Sequence, residues 1–128
     1  LKSFGLWEKI LNAEKLIPLK PLTYQELLRL NMDASIALTD SGGLQEECCV
    51  LGTPCMTLRW NTERPVTLRE YGGVCVLVGN NVERIRESFQ EMLRWDRSPA
   101  RPDLWDGKTA HRIVECLVAE YLNRGRNL

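Results

Sequence analysis

Ser41, Gly42 and Gly43 have the residue types and the spacing of an anion-binding turn. Ser41 can cap the helix predicted to follow it, and two residues without a β-carbon let a ligand approach the backbone amides. Free amides and the helix dipole then form a small positive pole that suits phosphate oxygens. A tight turn with a good helix cap explains the same pattern, so both interpretations stay open on these three residues alone.

Two adjacent carboxylates, Glu46 and Glu47, follow in the first turns of that helix, where their side chains point about 100° apart. If Leu44 faces the core, Glu47 lies near the same side and can reach back over the helix start. There its carboxylate can accept hydrogen bonds from two ribose hydroxyls, whereas Glu46 faces elsewhere. The alternative is that both carboxylates complement the helix dipole on a solvated face.

Two arginines, Arg59 and Arg64, lie in the loop after another predicted strand. The loop follows a strand at the same sheet edge as the Ser41 turn. Each arginine has a planar guanidinium group, which can bind a diphosphate in a bidentate manner. Glu63, beside Arg64, can orient or neutralise that guanidinium. An ordinary surface ion pair is the alternative.

Short apolar strands alternate with helices along the chain. The patterns predict strands at residues 35–39, 55–58 and 74–78, a weaker strand at 16–19, and helices at 23–33, 44–51, 81–95 and 109–122. Such alternation over short connections predicts an α/β fold in which helices cover the faces of a parallel sheet. Ligands bind beyond the carboxyl ends of the strands in such sheets, and the Ser41 turn lies at one of these ends.

The composition excludes several classes of protein. A chain of 128 residues fits one domain, and its 17 basic and 17 acidic residues leave no broad basic field for nucleic acid or a membrane surface. No apolar run approaches the roughly 20 residues of a membrane span, so we expect a cytoplasmic protein. One histidine, His111, and the absence of Cys-x-x-Cys spacing predict that the protein binds no metal. We expect no cofactor, and reduced core thiols at all five cysteines, which are Cys48, Cys49, Cys55, Cys75 and Cys116.

In combination these segments resemble the non-hydrolysing UDP-N-acetylglucosamine 2-epimerase family. The resemblance is carried by residues 38–47 (Leu-Thr-Asp-Ser-Gly-Gly-Leu-Gln-Glu-Glu), 51–54 (Leu-Gly-Thr-Pro), 58–59 (Leu-Arg) and 61–65 (Asn-Thr-Glu-Arg-Pro). It extends from Pro-Leu-Thr-Tyr at 21–24 to Asp-Gly-Lys-Thr-Ala at 106–110. It implies a Rossmann-like, three-layer parallel sheet that is the C-terminal half of a GT-B-type fold. Residues 1–128 are then a partial UDP-binding domain whose N-terminal part is missing.

The resemblance also implies which residues bind UDP. The family's diphosphate, ribose and facing-loop contacts fall on Ser41, Gly42, Gly43, Glu47 and Arg64. Its uracil contacts fall near the helix at 23–33, where Leu22 and Leu27 occupy positions that relatives can fill with Gln and Phe. Val66 and Thr67 stand where many relatives have another Glu, which points to a subgroup.

The activity implied is the interconversion of UDP-GlcNAc and UDP-ManNAc by elimination and re-addition of UDP, in the synthesis of cell-surface polysaccharide precursors. The family's acid and base residues lie upstream, so no catalytic residue is expected here and the chain alone is expected to be inactive. A homodimer is expected, and the incomplete sheet is expected to make the isolated chain associate or fold only partly. A hydrolysing relative, a GT-B glycosyltransferase lobe and a non-catalytic nucleotide-binding or assembly module remain alternatives.

Overall fold

The computed structural model describes residues 2–125. Residue 1 and residues 126–128, the two ends of the expected domain, lie outside the described residues. The backbone divides into two compact units, Leu1–Leu30 and Asn31–Leu128.

The described residues of the first unit form helices and no strands. The unit contains a short 3-10 helix at Lys2–Phe4, helix α1 at Trp7–Leu11 and most of helix α2 at Tyr24–Asp33. Thr23 begins α2 as predicted, because its Oγ1 accepts from the Glu26 N–H at 3.4 Å while Glu26 Oε2 accepts from the Thr23 N–H at 2.8 Å. These two reciprocal bonds satisfy amides that the first helical turn leaves without partners.

The weak strand predicted at residues 16–19 is wrong, because the structure has neither strand nor helix there. Ile17 is 82% exposed, so the apolar run does not enter a core. Pro18 has no N–H to donate, and no described strand lies in register with this segment. A short apolar run forms a strand only where a neighbouring strand supplies the ladder.

The second unit contains a three-stranded parallel sheet in the order β1-β2-β3. The strands are β1 at Ala37–Thr39, β2 at Cys55–Thr57 and β3 at Cys75–Leu77. Their register places Leu38 beside Met56 and Met56 beside Val76. Each strand is shorter than its apolar run predicted, but the positions and the α/β class are confirmed.

Three whole helices lie in the described part of the second unit; the first two pack on opposite faces of this sheet, whereas the apolar side chains of the third are largely exposed. They are α3 at Gly42–Leu51, α4 at Val82–Met92 and α5 at Thr109–Gly125, with two 3-10 turns at Pro65–Thr67 and Arg69–Tyr71. All three helices were predicted. Helix α3 begins two residues earlier than predicted because its turn is already helical at Gly42, and α4 ends three residues earlier.

Alternate residues of the strands belong to two separate hydrophobic cores, one on each face of the sheet. Cys55 and Cys75 face α3, where they pack with Cys48 and Cys49, whereas Met56 faces the other side and packs with Val78 and with Met92 of α4. Because strand side chains alternate between faces, two helices on opposite faces produce the predicted three layers.

The buried cysteines carry free thiols. Cys48, Cys49, Cys55 and Cys75 are buried as predicted, whereas Cys116 is exposed. The pKa of the Cys55 thiol is raised by its hydrogen bonds to Cys48 and Cys75 and by burial, so this thiol stays protonated. Within residues 2–125 no group of three His, Cys, Asp or Glu side chains could hold a metal ion, and no helix is long and apolar enough to cross a membrane.

Two neighbouring glycines give a test of this packing. A β-carbon on Gly73 would lie 1.9 Å from the Thr67 carbonyl oxygen, whereas one on Gly72 would meet open space at a φ of +87°. We expect Gly73→Ala to lower the free energy of unfolding by about 3 kcal/mol, through a backbone shift. Gly72→Ala should lower it by about 1 kcal/mol, through left-handed strain alone. Urea denaturation of both variants measures the difference, and equal losses would contradict the close approach at Gly73.

Candidate functional site

The Ser41 turn connects the carboxyl end of β1 to the start of α3. The Ser41 N–H donates to Thr39 Oγ1 at 3.0 Å, which fixes the turn to the last residue of the strand. Ser41 caps α3 as predicted, since its Oγ accepts from the Leu44 N–H at 3.4 Å and its carbonyl accepts from the Gln45 N–H at 3.2 Å. The helix start is therefore anchored at the sheet edge.

Two backbone amides of this turn are left for a ligand. Among the described residues, the N–H groups of Gly42 and Gly43 have no hydrogen-bond acceptor, although Leu44 and Gln45 donate to Ser41. Two adjacent free amides at the positive end of a helix dipole suit an anionic oxygen. The turn thus has the amides that a phosphate site needs.

The two glycines leave room for different neighbours. A β-carbon on Gly42 would lie 2.9 Å from Glu63 Oε1, so this glycine makes room for the loop that faces the turn. A β-carbon on Gly43 would come no closer than 3.9 Å to any neighbour outside the helix, at Ser41 Oγ. Neither glycine has a positive φ. Neither the backbone conformation nor a close neighbour therefore requires glycine at position 43.

The carboxylates of Glu46 and Glu47 have different environments, as their angular separation predicted. Glu46 Oε1 lies 2.9 Å from Arg64 Nε. Glu47 is half-buried, and its Oε2 is buried without a hydrogen-bond partner in the described part of the chain. Burying a polar oxygen without a donor is costly, so Glu47 Oε2 is an acceptor that a ligand hydroxyl can satisfy.

The arginines of the facing loop pair in a way that the sequence did not predict. Glu63 Oε2 lies 2.9 Å from Arg59 Nη1, so Glu63 pairs with Arg59, while the carboxylate partner of Arg64 is Glu46. The Glu63 backbone N–H and the positive charge of Arg59 lower the pKa of the Glu63 carboxyl, which stays anionic. The N–H of Arg64 Nε is not aligned with Glu46, so this contact is an ion pair rather than a directed hydrogen bond.

Gln45 and Thr62 also belong to the site, and sequence reasoning assigned them no role. Gln45 is 0% exposed, and its Oε1 accepts from Thr62 Oγ1 at 2.9 Å. Thr62 Oγ1 in turn accepts from the Arg64 N–H at 3.0 Å. A signal was present in the sequence: Gln45 shares a helix face with Cys48 and Cys49, so a polar group there must find a buried partner.

The predicted site residues fall in both units. Ser41, Gly42, Gly43, Glu47 and Arg64 belong to the second unit, in the turn, in α3 and in the loop that faces them. Leu22 and Leu27 belong to the first unit, where Leu22 precedes the cap of α2 and Leu27 lies on that helix. Their side chains are 37% and 38% exposed. Contact between these leucines and a uracil stays a prediction.

The chain is similar to known proteins of one family. The sequence profile of the UDP-N-acetylglucosamine 2-epimerase family matches residues 4–118. The UDP-N-acetylglucosamine 2-epimerase of Methanocaldococcus jannaschii is 43% identical over 118 residues, which are 92% of this chain and 31% of the relative. The enzyme of that name from Escherichia coli K12 is 34% identical over 111 residues, or 83% of this chain and 29% of the relative.

Solved structures give the same result. The Methanocaldococcus jannaschii UDP-GlcNAc 2-epimerase in complex with UDP-GlcNAc and UDP superposes with a TM-score of 0.78 at 42% identity, over 93% of this chain and 32% of that one. The Neisseria meningitidis UDP-GlcNAc 2-epimerase bound to UDP-GlcNAc gives a TM-score of 0.71 at 29% identity, over 88% and 31%. The chain thus spans about a third of the length of these relatives.

The likeness is spread along the chain rather than confined to one motif. The profile match includes the Ser41 turn, helix α3 and the arginine loop, and both structural superpositions cover most of the chain. The fold and the resemblance predicted from the sequence are confirmed, and this chain belongs to the UDP-N-acetylglucosamine 2-epimerase family.

Proposed function

We propose that this chain is the UDP-binding part of a UDP-N-acetylglucosamine 2-epimerase. The observation that carries the proposal is the buried, unpartnered Oε2 of Glu47 on the helix whose start presents the free amides of Gly42 and Gly43. An acceptor for hydroxyls and donors for phosphate oxygens on one helix fit the ribose and the diphosphate of one nucleotide. Ser41, which shapes this turn, completes the proposed diphosphate site.

Arg64 supplies the positive charge of the proposed site. Its side chain is 40% exposed and faces Glu46, so the pair is screened by water and a dianionic ligand can draw the guanidinium away at small cost. A guanidinium and two amides would stabilise negative charge on a diphosphate.

This part of the enzyme would hold the leaving group. In the proposed reaction UDP departs from the sugar and adds back, so negative charge grows on the diphosphate as the bond to the sugar breaks. Donors that are already in place stabilise that charge most effectively. The acid and base groups of the reaction would come from outside residues 1–128. The chain matches 31% of the length of its Methanocaldococcus jannaschii relative.

The remaining expectations are also part of the proposal. Residues 1–128 would be a partial C-terminal UDP-binding domain, with Leu22 and Leu27 near the uracil. A homodimer and a cytoplasmic location stay predictions. The names of the matched relatives favour the 2-epimerase over a GT-B glycosyltransferase or an assembly module.

Gly43→Ala tests the diphosphate site. Because a β-carbon there would meet only Ser41 Oγ, at an ordinary contact distance of 3.9 Å, we expect the free energy of unfolding to stay within about 0.5 kcal/mol of the wild-type value. The same methyl group would stand where the phosphate approaches the amides, so UDP affinity should fall by about ten-fold or more, or about 1.4 kcal/mol. Calorimetric titration with UDP and urea denaturation measure the two effects. Unchanged UDP affinity would place the diphosphate elsewhere.

Glu47→Ala tests the ribose contact. We expect the wild-type chain to bind UDP about ten-fold more tightly than 2′-deoxy-UDP, since one hydrogen bond to a carboxylate contributes roughly 1.5 kcal/mol. Glu47→Ala should bind both nucleotides with equal, weaker affinity, as measured by calorimetry. Glu91→Ala, which removes an exposed carboxylate from α4, is the control that should keep the preference. If Glu47→Ala still prefers UDP, another group binds the ribose.

A further inference from the structure

A fully buried amide lies beneath the arginine loop. Gln45 is on the face of α3 that also buries Cys48 and Cys49, so the backbone of the helix and the core around it fix the position of its side chain. Its Oε1 accepts from Thr62 Oγ1 at 2.9 Å and lies 3.4 Å from Thr67 Oγ1. Helix α3 therefore has a buried polar contact with the loop, in addition to the ion pair between Glu46 and Arg64.

The hydroxyls of Thr62 and Thr67 each have one proton to donate, and this determines which of their contacts are donated and which are accepted. The Thr62 hydroxyl gives its one proton to Gln45, so it can only accept from the Arg64 N–H, at 3.0 Å. The Thr67 hydroxyl makes its shorter contact, 2.7 Å, by donating to the Arg64 carbonyl. One hydroxyl thus holds the N–H of Arg64 and another holds its C=O.

The backbone around Thr67 is itself anchored to the sheet and to α3. Its carbonyl accepts from the N–H of Val74, the residue before β3, at 3.0 Å and from the Cys49 thiol at 3.4 Å. Hydrogen bonds therefore hold both the N–H and the C=O of Arg64, and the residues that make them are themselves bonded to buried groups. The guanidinium of Arg64 meets Glu46, one helical turn from Gly43.

We propose that Gln45 and Thr62 are positioning residues that hold the backbone of Arg64 within reach of the diphosphate site, so that its guanidinium can turn from Glu46 to the ligand. This inference rests on the proposed function, because Arg64 is taken as the residue that contacts the diphosphate. Through this network α3 would influence both kinds of phosphate donor, the backbone amides at its own start and the guanidinium of Arg64 in the loop. Its first amides face the ligand directly, and its buried amide side chain sets the place of the arginine. A donor positioned before binding loses less freedom when the ligand arrives.

Thr62→Val tests the network, because valine keeps the shape and removes the hydroxyl. We expect UDP affinity to fall about five- to ten-fold, as measured by calorimetry on the 128-residue chain. In the Arg64→Ala background the same substitution should have no further effect, since Thr62 acts through Arg64. Thr62→Ser should restore wild-type affinity because serine keeps the hydroxyl.

Thr57→Val is the matched control. Thr57 is fully buried, whereas Thr62 is half-buried, and Thr57 Oγ1 has no hydrogen-bond partner in the described residues. Its replacement should leave UDP affinity unchanged. A loss in Thr57→Val equal to that in Thr62→Val would mean that any buried threonine hydroxyl matters, and the positioning role would be wrong.

Hydrogen exchange gives a readout that needs no ligand. The Arg64 amide should exchange slowly in the wild type and in Thr62→Ser, and at least ten-fold faster in Thr62→Val, as measured by nuclear magnetic resonance. Equal exchange in the wild type and Thr62→Val would overturn the inference. So would equal losses of UDP affinity from Thr62→Val with and without Arg64. Failure of the wild type to bind UDP would instead overturn the proposed function, even where the exchange difference is present.

Discussion

The position of every polar group in the second unit's site depends on how α3 packs against the sheet. Cys48 and Cys49 press on Cys55 and Cys75, and these small side chains fill the space between helix and strands. The start of α3 is tied to the end of β1 through Thr39 and Ser41. With both the face and the start of the helix fixed, the free amides of the turn stand at the sheet edge without help from a ligand.

Three of the five buried polar side-chain atoms that lack a hydrogen bond in the described residues lie near the turn. Gln45 Nε2 and Glu47 Oε2 lie on α3, and Arg64 Nε lies on the loop that faces it; all three are buried without an aligned hydrogen bond in the described residues. A core usually satisfies such groups, and a functional site is one place where they remain. Their unfavourable burial can be relieved by a ligand that supplies hydroxyls and anionic oxygens.

Charge is balanced within the facing loop rather than concentrated there. Arg59 pairs with Glu63 and Arg64 pairs with Glu46, all on partly exposed side chains. A site of this kind attracts a nucleotide diphosphate less by long-range field than by short-range donors in the right places. This agrees with a chain of zero formal net charge that belongs to a family of nucleotide-sugar enzymes.

Sequence was enough to predict the alternation of strands and helices, the Ser41 cap and the family, because these depend on local periodicity, turn chemistry and motif spacing. Glu46 and Glu47 were separated correctly for the same reason, since helix geometry alone sets their angle. Tertiary structure excludes a strand at residues 16–19, because a strand needs a neighbouring strand to pair with. It also decided that Arg64 pairs with Glu46 and that Gln45 supports its loop, because these contacts join residues separated in sequence by about twenty positions and follow from packing rather than from spacing.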